Sequence, residues 1–423
     1  MPVSRLDADD CGFPHFRIRS PHKDQQPKIF DFSSHYRAAE ALKFGLSMSE
    51  PGFNIFVLGL DRAGRMTATL DYLNKAMEER EAPDDWVYLN NFSRTNRPRP
   101  YALPAGQGKK LLTAMETLIS HLREAFSSAF NAPAHLTETQ TQTEEARAQL
   151  REKFDALREY ARERGLDVQE NEKGVMIVAL NDEGEPVSLD EIPKERRNEA
   201  EDAFEEVAEE ARKTLLSTRE LEEQIADTLD SLRRGAAKVV LKPRIKKLRD
   251  KFTSPGLKAW FEALEKDILD NIDAFEEASD QPSIESGDGK IPETVDDRYA
   301  VNLLIDHSRD DHPDVVLEPS PSYDNLFGQI QYRPIGGGMH PHFSLIKPGA
   351  LHRANGGVLV LRAESLLEHE ECWGYLKAAL RDREIRIEET HKGGAPTAGA
   401  PEPRPIPLDL KVVIVGAPKF YYT

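Results

Sequence analysis

Cysteine is nearly absent, long apolar runs are missing and basic residues are outnumbered. Only two cysteines occur in 423 residues, Cys11 and Cys372, far apart and in unrelated contexts. Neither a disulfide framework nor a zinc site follows from them, and they read as incidental thiols of a reducing compartment. No apolar run approaches the roughly 20 residues that span a bilayer, and the opening MPVSRLDADD lacks the apolar segment of a signal peptide. Against 74 acidic residues stand 56 basic ones, a formal charge of −18, which argues against nucleic acid or anionic lipid as a general partner. A soluble, cytoplasmic protein of at least two structural units is expected.

What is present is an α/β pattern broken in the middle. Residues 1–26 are polar and punctuated by proline, a lead-in. From 27 to 108 a helix-like HYRAAEALKFGLSM precedes an apolar strand, PGFNIFVLG, then a second helix and a second strand, DWVYLNNF. Helix, strand, glycine loop, helix, strand is the opening of a parallel sheet covered by helices. From 109 to 290 charged helix dominates, with a narrow apolar stripe at Leu215, Leu216, Leu221, Ile225, Leu229 and Leu232. Such a stripe suits an antiparallel coiled-coil arm. The run Val175–Leu180, set among turn residues, reads as a β-hairpin at about 165–192, the tip of that arm. Residues 291–423 resume the α/β pattern with YAVNLLIDH, GGVLVLRA and LKVVIVGAP as strands. The sheet is therefore split around a helical insertion, and the insertion is expected to be separable from it.

The stretch FVLGLDRAGRMT has the layout of a phosphate-binding loop: an apolar strand, Gly59, four residues, Gly64 and a helix. Where that loop carries Lys and then Ser or Thr, this chain has Arg65 and Met66. Arg is no neutral substitute for Lys, Met66 cannot ligate Mg²⁺, and Thr67 lies a further ~100° around the helix. The second strand of such a site ends in acids that hold Mg²⁺ and activate water. Here Arg362 and Ala363 occupy those positions and Glu364 is displaced beyond them. The next strand closes on Gly416 and Ala417, without a polar side chain. A strand–turn–helix without nucleotide is the reading these residues favour. No cofactor or metal is expected, and ATP with Mg²⁺ is a ligand only if the altered loop still binds it. In RPIGGGMHPHF, His340 and His342 suggest a glycine loop rather than a metal pair, because Pro341 interrupts them and no third ligand follows.

The segments PGALHRANGGVLVL, YDNLFGQI and RAAEALKFGLSMSEPGFNIFVLG, supported by DWVYLNNF, LPAGQGKKL and LKVVIVGAPKFYY, resemble the Lon-like proteases of the bacterial B and C types. The resemblance implies an AAA+-like module with an inserted helical arm, followed in the family by a helical lid and a Ser–Lys peptidase domain, assembled as hexameric rings. Arg65, Met66, Arg362 and Ala363 place the chain closest to the ATP-independent C branch. No segment up to Thr423 resembles the peptidase Ser motif or the lid, so no catalytic residue is assigned, and the sequence reads either as a fragment of a longer enzyme or as a module encoded alone. The expected role is capture of unfolded polypeptide and its admission to a peptidase chamber. The alternatives are an ATP-dependent unfoldase module and a non-enzymatic holdase-like scaffold. Val175, Met176, Ile177 and Val178 are the candidate substrate-contact residues, the competing role being a staple between neighbouring arms.

Overall fold

The computed structural model describes residues 32, 35–48, 50, 52–60, 63–171, 174–181, 186–187, 197–276, 284–286, 291–335, 338–388 and 400–422. The lead-in at 1–26, Gly336, Gly337 and most of the Pro/Ser/Gly stretch before 291 lie outside them. In chain order the body opens with α1 (Tyr36–Ser47), β1 (Ile55–Leu58), α2 (Arg65–Met77), β2 (Asp85–Leu89) and β3 (Arg99–Leu103). The helical section is α3 (Gln107–Phe130), α4 (Pro133–Arg162), the strands β4 (Leu166–Asn171), β5 (Gly174–Leu180) and β6 (Pro186–Val187), then α5 (Arg197–Lys251) and α6 (Leu257–Asp270). The return begins with β7 (Ile284–Ser286), β8 (Ile291–Glu293), α7 (Val295–Arg298), β9 (Val301–Ile305), β10 (Val315–Glu318) and α8 (Tyr323–Phe327). It continues through β11 (Gln329–Ile335), β12 (Gly338–Lys347), α9 (Ala350–Arg353), β13 (Val358–Arg362), α10 (Ala363–Leu367) and α11 (Glu370–Asp382). The short strands β14 (Glu384–Ile385) and β15 (Ile406–Pro407) lead into β16 (Lys411–Gly416).

A four-stranded parallel sheet in the order β1-β16-β13-β10 joins the two ends of the chain. β13 explains its burial: VLVL is apolar throughout because both faces are covered, as parallel sheets require. Val358 and Val360 pack with Leu42, Leu73 and Met77 of α1 and α2, whereas Leu359 and Leu361 pack on the opposite face with Leu351 and Leu376. Each of the four β13 residues is 0% exposed.

The strand DWVYL is not part of this sheet. β2 sits between β3 and β9 in a separate antiparallel sheet, so the sequence expectation for both DWVYLNNF and YAVNLLIDH is corrected. The loop of residues 90–98 brings β3 back antiparallel to β2, and β3 is an edge strand, where Pro100 is tolerated. The parallel sheet is instead completed by β10, Val315–Glu318. The segment expected as a glycine loop is strand on both sides of Gly336 and Gly337, which lie outside the described residues. β12 runs through Pro341 and pairs antiparallel with β11 across a register shift, and a two-stranded ribbon has the free edge that proline needs.

The second sheet has two packed faces. Val87, Leu89 and Val301 meet the largest core cluster, built with Leu111, Met115, Leu122 and Phe126 of α3, Leu241 of α5, and Trp260 and Phe261 of α6. Tyr88, Leu304 and Ile305 meet the core shared with the parallel sheet. Asp85, 0% exposed, pins the seam by accepting from Gly108 N–H at 2.7 Å and His307 N–H at 2.8 Å. The base of the arm is thus continuous with the body. Beyond it α4 and α5 pair alone, and there Leu215 and Leu216 remain 41% and 61% exposed because two helices cannot bury a whole stripe.

Arg233 lies 4.9 Å over the Phe130 ring, so the chain leaves and re-enters the base at adjacent points. Replacing residues 132–231 by a short Gly/Ser linker is expected to keep a cooperative, soluble fold. Replacing 109–290 removes seven core side chains at most 4% exposed (Leu111, Met115, Leu122, Phe126, Leu241, Trp260 and Phe261). Each contributes about 1.5–3 kcal/mol, together roughly 10–21 kcal/mol, as large as the net stability of about 5–15 kcal/mol of a typical domain. That variant should not fold. Equal denaturant midpoints for the two variants would contradict this division.

His352 of α9 is 1% exposed. Its Nδ1 accepts from Gly349 N–H at 3.2 Å, which leaves the proton on Nε2, buried and without a hydrogen-bond partner. Burial first, then the Arg353 charge, pushes its pKa down from 6.5 to about 3. The unfolded chain takes up this proton below its own pKa of ~6.5, the folded chain only near the lower value. Stability present above the unfolded value is therefore lost as pH falls through this window. His352→Asn keeps an acceptor near the Nδ1 position and does not titrate. The melting-temperature difference, wild type minus variant, should shrink between about pH 7 and about pH 4; a constant difference would remove His352 from the acid response.

Candidate functional site

β1 and β16 run side by side to the same edge of the parallel sheet, where Leu58 is the register partner of Gly416. The chain then turns through Gly59 and reaches Gly64, whose φ of 71° is the left-handed conformation that glycine adopts without strain. Gly64 is the N-cap of α2, and Arg65 is its first residue. The geometry is strand, turn, helix N-terminus, the arrangement that elsewhere cradles phosphate with backbone N–H groups.

The Arg65 side chain folds back into this turn. Its Nη1 donates to the carbonyl oxygen of Gly59, and its Nη2 lies 3.5 Å from Glu364 Oε1. The Arg65 side chain is 16% exposed, and its stem passes 3.1 Å from where a Cβ on Gly59 would stand. An internal cation fills the turn, and Glu364 offsets its charge. Met66 faces inward and packs against the core under the sheet, whereas Thr67 is exposed. Gly59, Gly64, Arg65 and Glu364 are therefore gathered in one place, and Met66 and Thr67 are directed elsewhere.

Arg362 ends β13 as the register partner of Val415 and points to solvent. Ala363 begins α10 and is 4% exposed. Its methyl group stands 2.5 Å from the position a Cβ on Gly416 would take, with the Phe56 ring at 3.2 Å. Glycine at 416 and alanine at 363 are mutual steric requirements. Glu364, displaced beyond the strand end, has Arg65 as its partner, a pairing that spans 299 positions and has no local sequence signal.

The hairpin expected around Val175 is a three-stranded antiparallel sheet, β4-β5-β6. Strand alternation divides the expected contact run. Val175, Ile177 and Ala179 pack inward with Leu157, Leu166 and Val207. Met176 is 46% exposed, opposite Gln169, and Val178 is half-buried opposite Asp167. The apolar surface expected over the whole run is thus reduced to alternate residues, Met176 and Val178.

His342 is engaged through both ring nitrogens, with Glu293 at 2.9 Å and Ser344 at 2.8 Å. Among the described residues one group that sequence reasoning missed brings metal-type donors together: His307, Asp310 and Asp314, within 4.8 Å of one another. His307 already contacts Asp310 at 3.3 Å. Among the same residues no helix is long and apolar enough to cross a membrane.

Comparison with known proteins gives a consistent neighbourhood. Residues 311–423 match the LonB-like AAA domain family, and residues 85–118 match the Lon-like LonC helical domain family. A protein of Haemophilus influenzae described as a Lon protease homolog is 32% identical over 133 residues. That stretch is 28% of this chain and 22% of the relative, so the chain spans about a fifth of the relative's length.

Proposed function

Because the chain is a Lon-like protein with an AAA domain of the LonB-like kind, we propose that it is the substrate-handling module of a serine endopeptidase that degrades unfolded proteins without hydrolysing ATP. In this reading the Ser–Lys peptidase belongs to a C-terminal domain of the full-length enzyme, the modules assemble as a cytoplasmic hexameric ring, and the chain lies nearest the C branch. The observation that carries it is Arg65 seated in its own phosphate-type turn. An anion entering there meets the Gly59 carbonyl and must displace a guanidinium already paired with Glu364. Mg²⁺ would meet Arg362 and the Ala363 methyl group where it needs oxygen ligands. The ATP-dependent unfoldase reading is disfavoured on the same grounds.

The test is hydrolysis of Mg²⁺-ATP by the purified protein, with Gly64→Pro as the control. Turnover should equal background in both proteins. Magnesium-dependent turnover that Gly64→Pro abolishes would overturn the nucleotide-independent reading.

The capture role rests on Met176 and Val178, apolar residues on the outer face of a sheet whose flanking helices are highly charged. Met176→Asp with Val178→Asp is expected to weaken binding of a reduced, unfolded model protein by roughly tenfold, as the loss of a small apolar anchor would. Ala179 and the inward residues are untouched, so the fold should persist. Unchanged client binding refutes capture; loss of oligomer mass with client binding retained assigns these residues to contacts between arms.

A further inference from the structure

Charge is segregated along α5. Residues 197–232 carry twelve acids against four bases, whereas 233–251 carry nine bases against one acid. Part of the basic end is answered at home: Arg233 pairs with Asp273 and Glu276, Arg234 with Asp270, and Arg249 with Glu262. The side facing α3 is different. A groove of about 670 Å³ runs between α3 and α5, flanked by Lys109, Lys110, Arg244, Lys247 and Lys251, and no Asp or Glu lines it. Its floor is apolar, from Ala114, Leu118 and Leu248. Lys109 approaches Asp306 at 3.9 Å, and Lys110 and Lys247 make no ion pair among the described residues. In a chain of net charge −18, five cations flanking a groove with no acid in its lining, Lys109 alone of them near a carboxylate among the described residues, form a surface suited to something acidic.

We propose that this groove receives the acidic section of α5 from a second copy of the chain, so that arm and groove form a head-to-tail contact between protomers. The chain carries the complementary charge itself, in exposed acids such as Glu201 and Glu205, which lie on one helix face and form no ion pair among the described residues. The contact cannot be made within one chain. Glu205 and Lys247 lie on a single continuous helix, roughly 60 Å apart at 1.5 Å per residue. A groove and an arm on different parts of one molecule make a heterologous interface, which closes into a ring or extends into a filament. Opposite charge brings the two together and fixes the register, and the apolar floor accepts the aliphatic parts of the incoming helix.

The contact deepens the assembly part of the proposed function. The ring itself does not require it, so an oligomer indifferent to these charges removes the contact and leaves the ring. The experiment uses the full chain, with sedimentation velocity at low and at high ionic strength. Wild type should associate at low salt and dissociate as salt screens the groove. Lys110→Glu with Lys247→Glu, at exposed positions, should weaken association by roughly tenfold or more, and Glu201→Lys with Glu205→Lys should do the same. An equimolar mixture of the two variants should recover association, because each reversed groove meets a reversed arm and each native groove a native arm. Unaltered circular dichroism separates these effects from misfolding. Self-association unchanged in the groove variant, or failure of the mixture to recover, overturns the proposal. So does binding of a short duplex DNA that the groove variant loses while self-association persists, which would assign the groove to nucleic acid.

Discussion

A guanidinium buried where the arm meets the body, that of Arg298, holds the two together. It donates to both carboxylate oxygens of Asp267 on α6 at 2.7 Å and to Glu293 at 3.1 Å. Tyr299 OH reaches the same Asp267 at 3.0 Å, and Glu293 in turn accepts His342 of β12. Burial works against the charge, yet Asp267 and Glu293 outweigh it and raise the Arg298 pKa above its ordinary value. Arg298 and Asp267 are 8% and 11% exposed in their side chains, so the pair is desolvated and losing one partner would strand the other, at a cost of about 3–5 kcal/mol. Around it Phe92, Trp260, Phe275 and Tyr299 stack, and Trp260 Nε1–H donates to Asn90. The arm is therefore anchored by α3, α6 and the basic end of α5.

That anchoring explains the different character of the two halves of α5. The basic end is half in the core, with Ala237, Leu241 and Ile245 at most 2% exposed, so its cations are forced to the remaining faces and pair with α6 or line the groove. The acidic section contributes only a narrow seam to α4, and its stability depends on that seam and on the small sheet at the far end.

How far sequence led to structure depended on range. The strands Ile55–Leu58, Val358–Arg362 and Lys411–Gly416 were legible because a parallel strand buried on both faces is apolar throughout. The long helices were legible from their period. Val315–Glu318 was not, since four residues beside Pro313 carry too little pattern, and Asp85–Leu89 was placed in the wrong sheet because its run shows that it is a strand and not which strand it pairs with. That α3 packs on the second sheet was not legible for a related reason: its apolar residues satisfy a helical period whether they face a second arm helix or a sheet. In the candidate site the residues themselves were visible one by one, but the closure of Arg65 on Gly59 and Glu364 was not. Nor was the inward turn of Val175 and Ile177, which strand alternation alone would have supplied.

The closure also bears on reversibility. Each altered position is held by another: Arg65 by Glu364 and Gly59, Ala363 by Gly416 and Phe56, Met66 by the core beneath the sheet. Returning Ala363 to an acid forces a carboxylate into a space 4% exposed, beside a strand end where even one additional carbon atom at Gly416 has no room. Returning Met66 to a hydroxyl removes apolar contact from the core, while Arg65→Lys alone leaves Glu364 to bind the new cation and keep it from a phosphate. A functional phosphate loop needs its cation free and its edge polar at once. In this chain the cation is engaged and the edge is packed, and the two conditions support each other through Glu364, which follows Ala363 in the chain and reaches Arg65 in space.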